Sequence, residues 1–271
     1  MRDHFYDQVP WRLSEMEHRY GENVHILADP LLLGQLATLC QKETVQPHFN
    51  RIVAFLYHSL AHAVINSEFP RRHVSVPTRM ADVTPGAIFH GQVIEPETRV
   101  VTVNIARAGT LPSQITFDML NTVLDPRRVR QDHIIMERRT DAEGHVVGTD
   151  VGGSKIGGDV DDAIVLFPDP MGATGGSLCR AVTIYKDQIP GRPKRLIAMH
   201  LIITPDYLRR VRDEHPDVVV YALRLDRGTS DEAIFETVPG EQWDKESGLN
   251  ETQYIVPGGG GFGELMNNSY V

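Results

Sequence analysis

Residues Ile164 to Ser177 read IVLFPDPMGATGGS: an apolar run, an acid, then a turn of glycines and hydroxyls. The chemistry this spacing offers is anion binding. Gly175 and Gly176 let a backbone approach an anion closely. A helix starting there would present N–H groups without partners, and its dipole favours negative charge at that end. Thr174 and Ser177 add hydroxyl donors. Asp169, at the end of the apolar run, is placed to accept from sugar hydroxyls. Gly175-Gly176-Ser177 alone also fits a plain turn with Ser177 as helix N-cap, but the whole string is more specific. It is not a Walker loop, which ends Gly-Lys-Ser/Thr, nor a G-x-G-x-x-G dinucleotide turn. Gly259 to Gly263 is also glycine-rich, and no helix is expected after it.

Such a turn has to be carried by a strand in front and a helix behind. Leu178, Ala181, Val182 and Tyr185 have the spacing of a helix face beginning at Ser177. Strands are predicted at Val100 to Ala106, His133 to Met136, Ala163 to Phe167, Leu196 to Ile203 and Val218 to Leu225. Helices are predicted at Leu111 to Leu124 and Pro205 to Glu214. Two further helices, Pro30 to Lys42 and Phe49 to Ile65, make the first part helical. The alternation predicts an α/β fold, a mainly parallel twisted sheet with helices on both faces. Ligands on such sheets sit at the carboxyl ends of the strands. Thr140 to Asp162 and the acidic Thr229 to Ser247 read as loops, each a lid or a disordered segment.

The 271 residues carry a formal charge of -9, which argues against a nucleic-acid partner. There is no apolar run of membrane-spanning length, and Met1 to Glu22 lacks the apolar stretch of a signal peptide. Cys40 and Cys179 lie far apart without metal or redox spacing, which suits a reducing cytoplasm.

Asp169 to Ser177, DPMGATGGS, resembles the binding motif DPMLATGGS of uracil phosphoribosyltransferases for 5-phosphoribosyl 1-diphosphate (PRPP). Gly172 stands where Leu is usual. Ile105 to Gly109 (IARAG) resembles the family's ILRAG, and Gly248 to Gly258 (GLNETQYIVPG) its late signature. His215 to Val218 (HPDV) and Asp226 to Gly228 (DRG) also match. The resemblance implies one type I phosphoribosyltransferase-like domain over 1–271. It would have an N-terminal arm (1–23), a helical N-terminal region, a small hood and the acidic insertion 229–247. The implied enzyme is a pentosyltransferase of pyrimidine salvage, joining uracil to PRPP to give UMP and pyrophosphate. Mg²⁺ would be held through PRPP and water, with no direct protein ligand. A homodimer or higher homo-oligomer is implied, and no membrane.

By the same resemblance, Asp169 binds the ribose hydroxyls and Ala173, Thr174, Gly175, Gly176 and Ser177 cradle the 5′-phosphate. Arg107 lies against the pyrophosphate; a structural ion pair is the rival reading, though small Ala108 and Gly109 leave room for an anion. Arg138 belongs to a mobile loop closing over pyrophosphate, with Arg139 and Lys155 as helpers; a solvated charged loop is the rival there. Ile255, Gly260 and Phe262 offer backbone groups to uracil, beside Tyr254 and Pro257. Where the family continues GDAGDR, this chain has Gly261 for the first acid, Glu264 for the second and Leu265 for the basic residue. The first acid normally faces PRPP and Mg²⁺. Cys40 also stands in place of an arginine. Two other readings therefore stand beside the salvage enzyme: a transferase for another base, and a sensor that binds PRPP or a nucleotide without turnover.

Overall fold

The computed structural model describes residues 3–140 and 146–270, with the side chains of 137–150 outside that description. In chain order its elements begin with β1 (Val24–Ile26), α1 (Pro30–Leu39), α2 (His48–Glu68), β2 (Arg71–Pro77), β3 (Ile88–Ile94), β4 (Val100–Ala106), α3 (Thr110–Val123) and β5 (Val129–Thr140). They continue with β6 (Val146–Lys155), β7 (Ile164–Pro168), β8 (Met171–Gly172), α4 (Gly176–Asp187), β9 (Arg195–Ile203), α5 (Pro205–Glu214), β10 (Val219–Leu225) and α6 (Phe262–Asn267).

One sheet runs β1-β10-β9-β7-β4-β5-β6, with β8 beside β9. Every pairing in it is parallel except β5 with β6. The central strands β4, β7 and β9 are buried almost end to end, as apolar runs covered on both faces must be. Leu36, Leu56, Leu120 and Met266 bring α1, α2, α3 and α6 onto one face with Leu166 and Met199. Val182, Tyr185, Tyr207 and Val211 bring α4 and α5 onto the other with Val103 and Phe167. The fold is the predicted α/β sheet with helices on both faces.

Local sequence accounts for the helix starts. Asp29 accepts from the N–H groups of Leu31 and Leu32, and Pro30 opens α1. Thr204 caps α5 in the same way through Tyr207, with Pro205 behind it. Parallel β4, β7, β9 and β10 deliver the turns that follow them to the carboxyl-end side of the sheet, where the predicted chemistry lies.

Four expectations change. The segment 140–162 is not all loop, because β6 pairs antiparallel with β5. A helix, α6, does follow the glycines at 259–261. The first part is not only helical: β1 forms an edge of the sheet, and β2 and β3 make a separate hairpin. The acidic stretch 229–247 is a packed clasp, neither lid nor disordered. Its Glu246 is buried and accepts from Tyr20 Oη, from Arg227 Nη1 at 3.1 Å and from Gly240 N–H at 2.9 Å. Its Trp243 donates to Pro205 O at 3.0 Å and lies under the Arg212 guanidinium. These contacts tie the insertion to α5 and to the N-terminal arm.

Candidate functional site

The turn after β7 is held from behind. Asp169 N–H donates to Met199 O at 3.1 Å, and its carbonyl faces His200 Nδ1 at 2.5 Å. Thr204 Oγ1 donates to Ala173 O at 2.7 Å. Gly175 has φ +79° and precedes the first residue of α4, so Ser177 is the second residue of the helix and not its N-cap. The opening N–H groups of α4 have no partner within the helix. A Cβ on Gly172 would sit 2.9 Å from Ile203 Cγ2 and 3.1 Å from the Tyr207 ring. The glycine that replaces the family's Leu is thus matched to Tyr207, which fills that space.

His200 was not singled out from sequence, since a lone histidine in an apolar strand carries no motif. Asp169 O can only accept, so Nδ1 bears the proton and Nε2 accepts from Tyr207 Oη at 2.6 Å. Burial holds the imidazole down to about 4, only partly opposed by the Asp169 carbonyl. The unfolded imidazole protonates near its ordinary 6.5, so stability present above that pH is lost as pH falls toward 4. Urea unfolding is expected to show about 2 kcal/mol less stability from this group at pH 5 than at pH 7. A His200→Gln variant should flatten the slope by that amount; an unchanged slope would discard the assignment.

Arg107 follows β4, and its turn touches the other two segments of the site. A Cβ on Gly109 would lie 3.1 Å from Pro168 O, so the turn abuts the end of β7. On the other side Gly263 of α6 faces Ala108: its own Cβ would lie 3.5 Å from that of Ala108. Arg107 Nη1 donates to Ser269 Oγ at 2.9 Å, and Nη2 lies 3.6 Å from Glu264 Oε1. A Cβ built on Gly261 would overlap Glu264 Oε2. The room left by the missing first acid is therefore taken by the carboxylate of the second.

The loop before α6 hangs from β10. Gly258, at φ +59°, donates its N–H to Asp226 Oδ2 at 2.8 Å and accepts from Arg224 Nη2 at 2.9 Å. Arg224 was missed in the sequence, although it lies two residues before the matched DRG. Ile255 is buried, Tyr254 is exposed, and Phe262 packs edge-on against Phe49 with ring centroids 5.2 Å apart. Gly260 has open space where a side chain would be. Among the predicted site residues, Arg107, Asp169, Ala173 to Ser177, Ile255, Gly260 and Phe262 thus lie in three segments at the carboxyl-end side of the sheet. The side chains of Arg138 and Arg139 lie outside the described residues, and Lys155 is exposed at the end of β6.

A family model described as uracil phosphoribosyltransferase matches residues 26–241. The chain belongs to the uracil phosphoribosyltransferase family. It is 28% identical over 242 residues to a uracil phosphoribosyltransferase of Clostridium botulinum, covering 89% of this chain and 95% of that one. The Rhodococcus jostii protein of the same name is 26% identical over 243 residues, covering 90% and 97%. Among solved structures, the AQ2163 protein from Aquifex aeolicus superposes with a TM-score of 0.65 at 18% identity. That match covers 92% of this chain and 99% of AQ2163, and it shows the fold. Among the described residues, no helix is long and apolar enough to cross a membrane.

Proposed function

We propose that the protein transfers the phosphoribosyl group of PRPP to uracil or a related pyrimidine, releasing pyrophosphate. One observation carries this reading: the Arg107 turn touches both the strand end that leads to Asp169 and the helix that follows the 254–261 loop. Sites for sugar phosphate, leaving group and acceptor thereby share one side of the sheet. A bond forms between a ring nitrogen of the base and ribose C1 while the bond from C1 to the pyrophosphate oxygen breaks. The ring proton passes to solvent. Family membership supports the transferase class, and the names of the relatives support uracil.

The residues divide the work. Asp169 accepts from the ribose hydroxyls, the α4 turn holds the 5′-phosphate, and Arg107 stabilises charge on the leaving group. Positioning the two reactants supplies much of the remaining rate. Mg²⁺ suits the oxygen donors available, the pyrophosphate first and the Glu264 carboxylate beside Arg107, since it prefers hard oxygen and keeps several waters. Bound to PRPP, it would offset charge on the departing pyrophosphate. Self-association belongs to the same reading: the β2–β3 hairpin and its connection expose Val76, Met80, Val83, Ile88 and Phe89.

A second reading, PRPP binding without turnover, is favoured by the Arg107–Glu264–Ser269 contacts, which give the leaving-group arginine partners within the chain. Incubating purified protein with uracil, PRPP and Mg²⁺, alongside PRPP calorimetry, separates the two. UMP formation is expected. PRPP binding without formation of a nucleotide and pyrophosphate, from uracil or from any other pyrimidine, would discard the enzymatic reading.

A further inference from the structure

We propose that the Arg224–Asp226 pair is the positioning device for the accepting base, acting through the loop that receives it. This rests on the transferase reading above. Arg224 grips Asp226 with two bonds, Nε to Oδ1 at 2.6 Å and Nη2 to Oδ2 at 2.7 Å. The same two side chains then take both backbone polar groups of Gly258, its N–H by Asp226 and its carbonyl by Arg224. Asp226 is itself buried and pinned, since its N–H donates to Ile203 O at 2.8 Å. The ion pair thus connects the ends of β9 and β10 to a single loop residue, through the peptide groups on both sides of it.

One residue on, the loop rests on a floor. A Cβ on Gly259 would lie 2.8 Å from Cys40 Sγ and 2.6 Å from Phe262 Cε1. Cys40 Sγ is 3.8 Å from Arg224 Nη1, so the guanidinium also backs that floor. Gly258 is held at both polar groups, while Gly260 faces open space. The height of Gly260 above the sheet is therefore set by Arg224 and Asp226. An acceptor read by backbone groups of this loop inherits that height. Reacting atoms misplaced by about 1 Å lose rate by about 100-fold, so a small relaxation here is expressed in the chemistry.

A purely structural ion pair would show itself differently, by lowering stability and affecting both substrates alike. Arg224→Lys keeps the charge but cannot hold both Asp226 oxygens and the Gly258 carbonyl at once. Arg224→Gln removes the charge as well.

The test has two arms on the full-length chain. In hydrogen exchange, both variants are expected to speed exchange in peptides covering 255–262, with peptides covering 174–178 unchanged. In steady-state kinetics, Arg224→Lys is expected to lower kcat and to raise KM for uracil about tenfold, with KM for PRPP within about twofold of wild type. Should Arg224→Gln unfold the chain, Arg224→Lys carries both arms. Unchanged exchange at 255–262 would overturn the proposal, and so would equal shifts in both KM values. A wild-type chain that makes no product overturns the transferase reading and the base-positioning role with it, while the exchange arm separately reads whether Arg224 holds the loop.

Discussion

Asp169→Asn is expected to weaken PRPP binding about 10- to 100-fold while leaving the melting temperature unchanged. The size follows from replacing charge-assisted hydrogen bonds to two ribose hydroxyls, about 1.5–3 kcal/mol each, by neutral ones of about 0.5–1.5 kcal/mol each. The backbone contacts of this residue survive the substitution. Asp169 is fixed through its backbone, by Met199 O on one side and His200 on the other, and asparagine keeps both contacts. Its carboxylate charge is felt by the buried Tyr57, whose hydroxyl is pushed up first by burial and then by that charge, and by Tyr207, pushed up by burial, then Cys179, then Asp169. Calorimetry with PRPP and Mg²⁺ reads the affinity, and a thermal melt reads the fold. Unchanged affinity would remove Asp169 from the ribose site. A fall in melting temperature parallel to the loss of binding would make it a structural residue.

The parts of the fold that were legible in the sequence are those whose signal is local. The strand at Val100 to Ala106 and the helix at Pro205 to Glu214 have the bounds that their apolar pattern and cap residues predict. The strand–turn–helix at 164–187 was legible for the same reason, since a strand end, a glycine turn and a helix face lie within one short string. What was not legible depends on partners distant in the chain. Strand β6 is glycine-rich and forms because β5 supplies an edge to pair with. The β2–β3 hairpin leaves most of its side chains exposed or half-exposed, so burial imposes no apolar alternation that could reveal it. Helix α6 is short and begins without a side-chain cap. It is fastened by tertiary bonds instead: Gln46 Nε2 donates to the carbonyls of Leu265 and Met266, and Asn50 Nδ2 to that of Met266.

The acidic insertion makes the same point energetically. Its acidity and lack of periodicity suggested a lid or a disordered loop, yet Glu246 is buried, and a buried carboxylate is tolerable only when its oxygens are well satisfied. Gly240 meets that condition from within the segment, Arg227 from just before it, and Tyr20 from the N-terminal arm. A reading of 229–247 alone could not supply Tyr20 or Arg227. The clasp also bears on the site, because α5, which it holds through Pro205 and Arg212, carries the Tyr207 that packs behind the phosphate turn.

Replacing Arg107 by alanine is expected to lower affinity for pyrophosphate and PRPP about 100-fold, with at most about 1 kcal/mol lost from stability. These two magnitudes decide between the rival roles of this arginine. As a structural ion pair it has little to offer, since its side chain and that of Glu264 are 37% and 32% exposed and 3.6 Å apart. Pairs so open to solvent contribute about 0–1 kcal/mol. As an anion ligand it is a forked donor beside the small residues Ala108 and Gly109, and its loss leaves a pyrophosphate without a charge-assisted partner. Glu264 adds a sign to the argument. An anion reaching Arg107 must displace this carboxylate, so Glu264→Gln should tighten pyrophosphate binding in the absence of Mg²⁺. With Mg²⁺ present the gain should shrink, because the cation offsets the repulsion that the carboxylate exerts. Pyrophosphate titrations of wild type and both variants, with and without Mg²⁺, check all three expectations. A large stability loss with unchanged affinity in Arg107→Ala would return this residue to a structural role. Gly261→Asp places a second carboxylate where Glu264 already lies, so without Mg²⁺ it should weaken anion binding unless Glu264→Gln accompanies it.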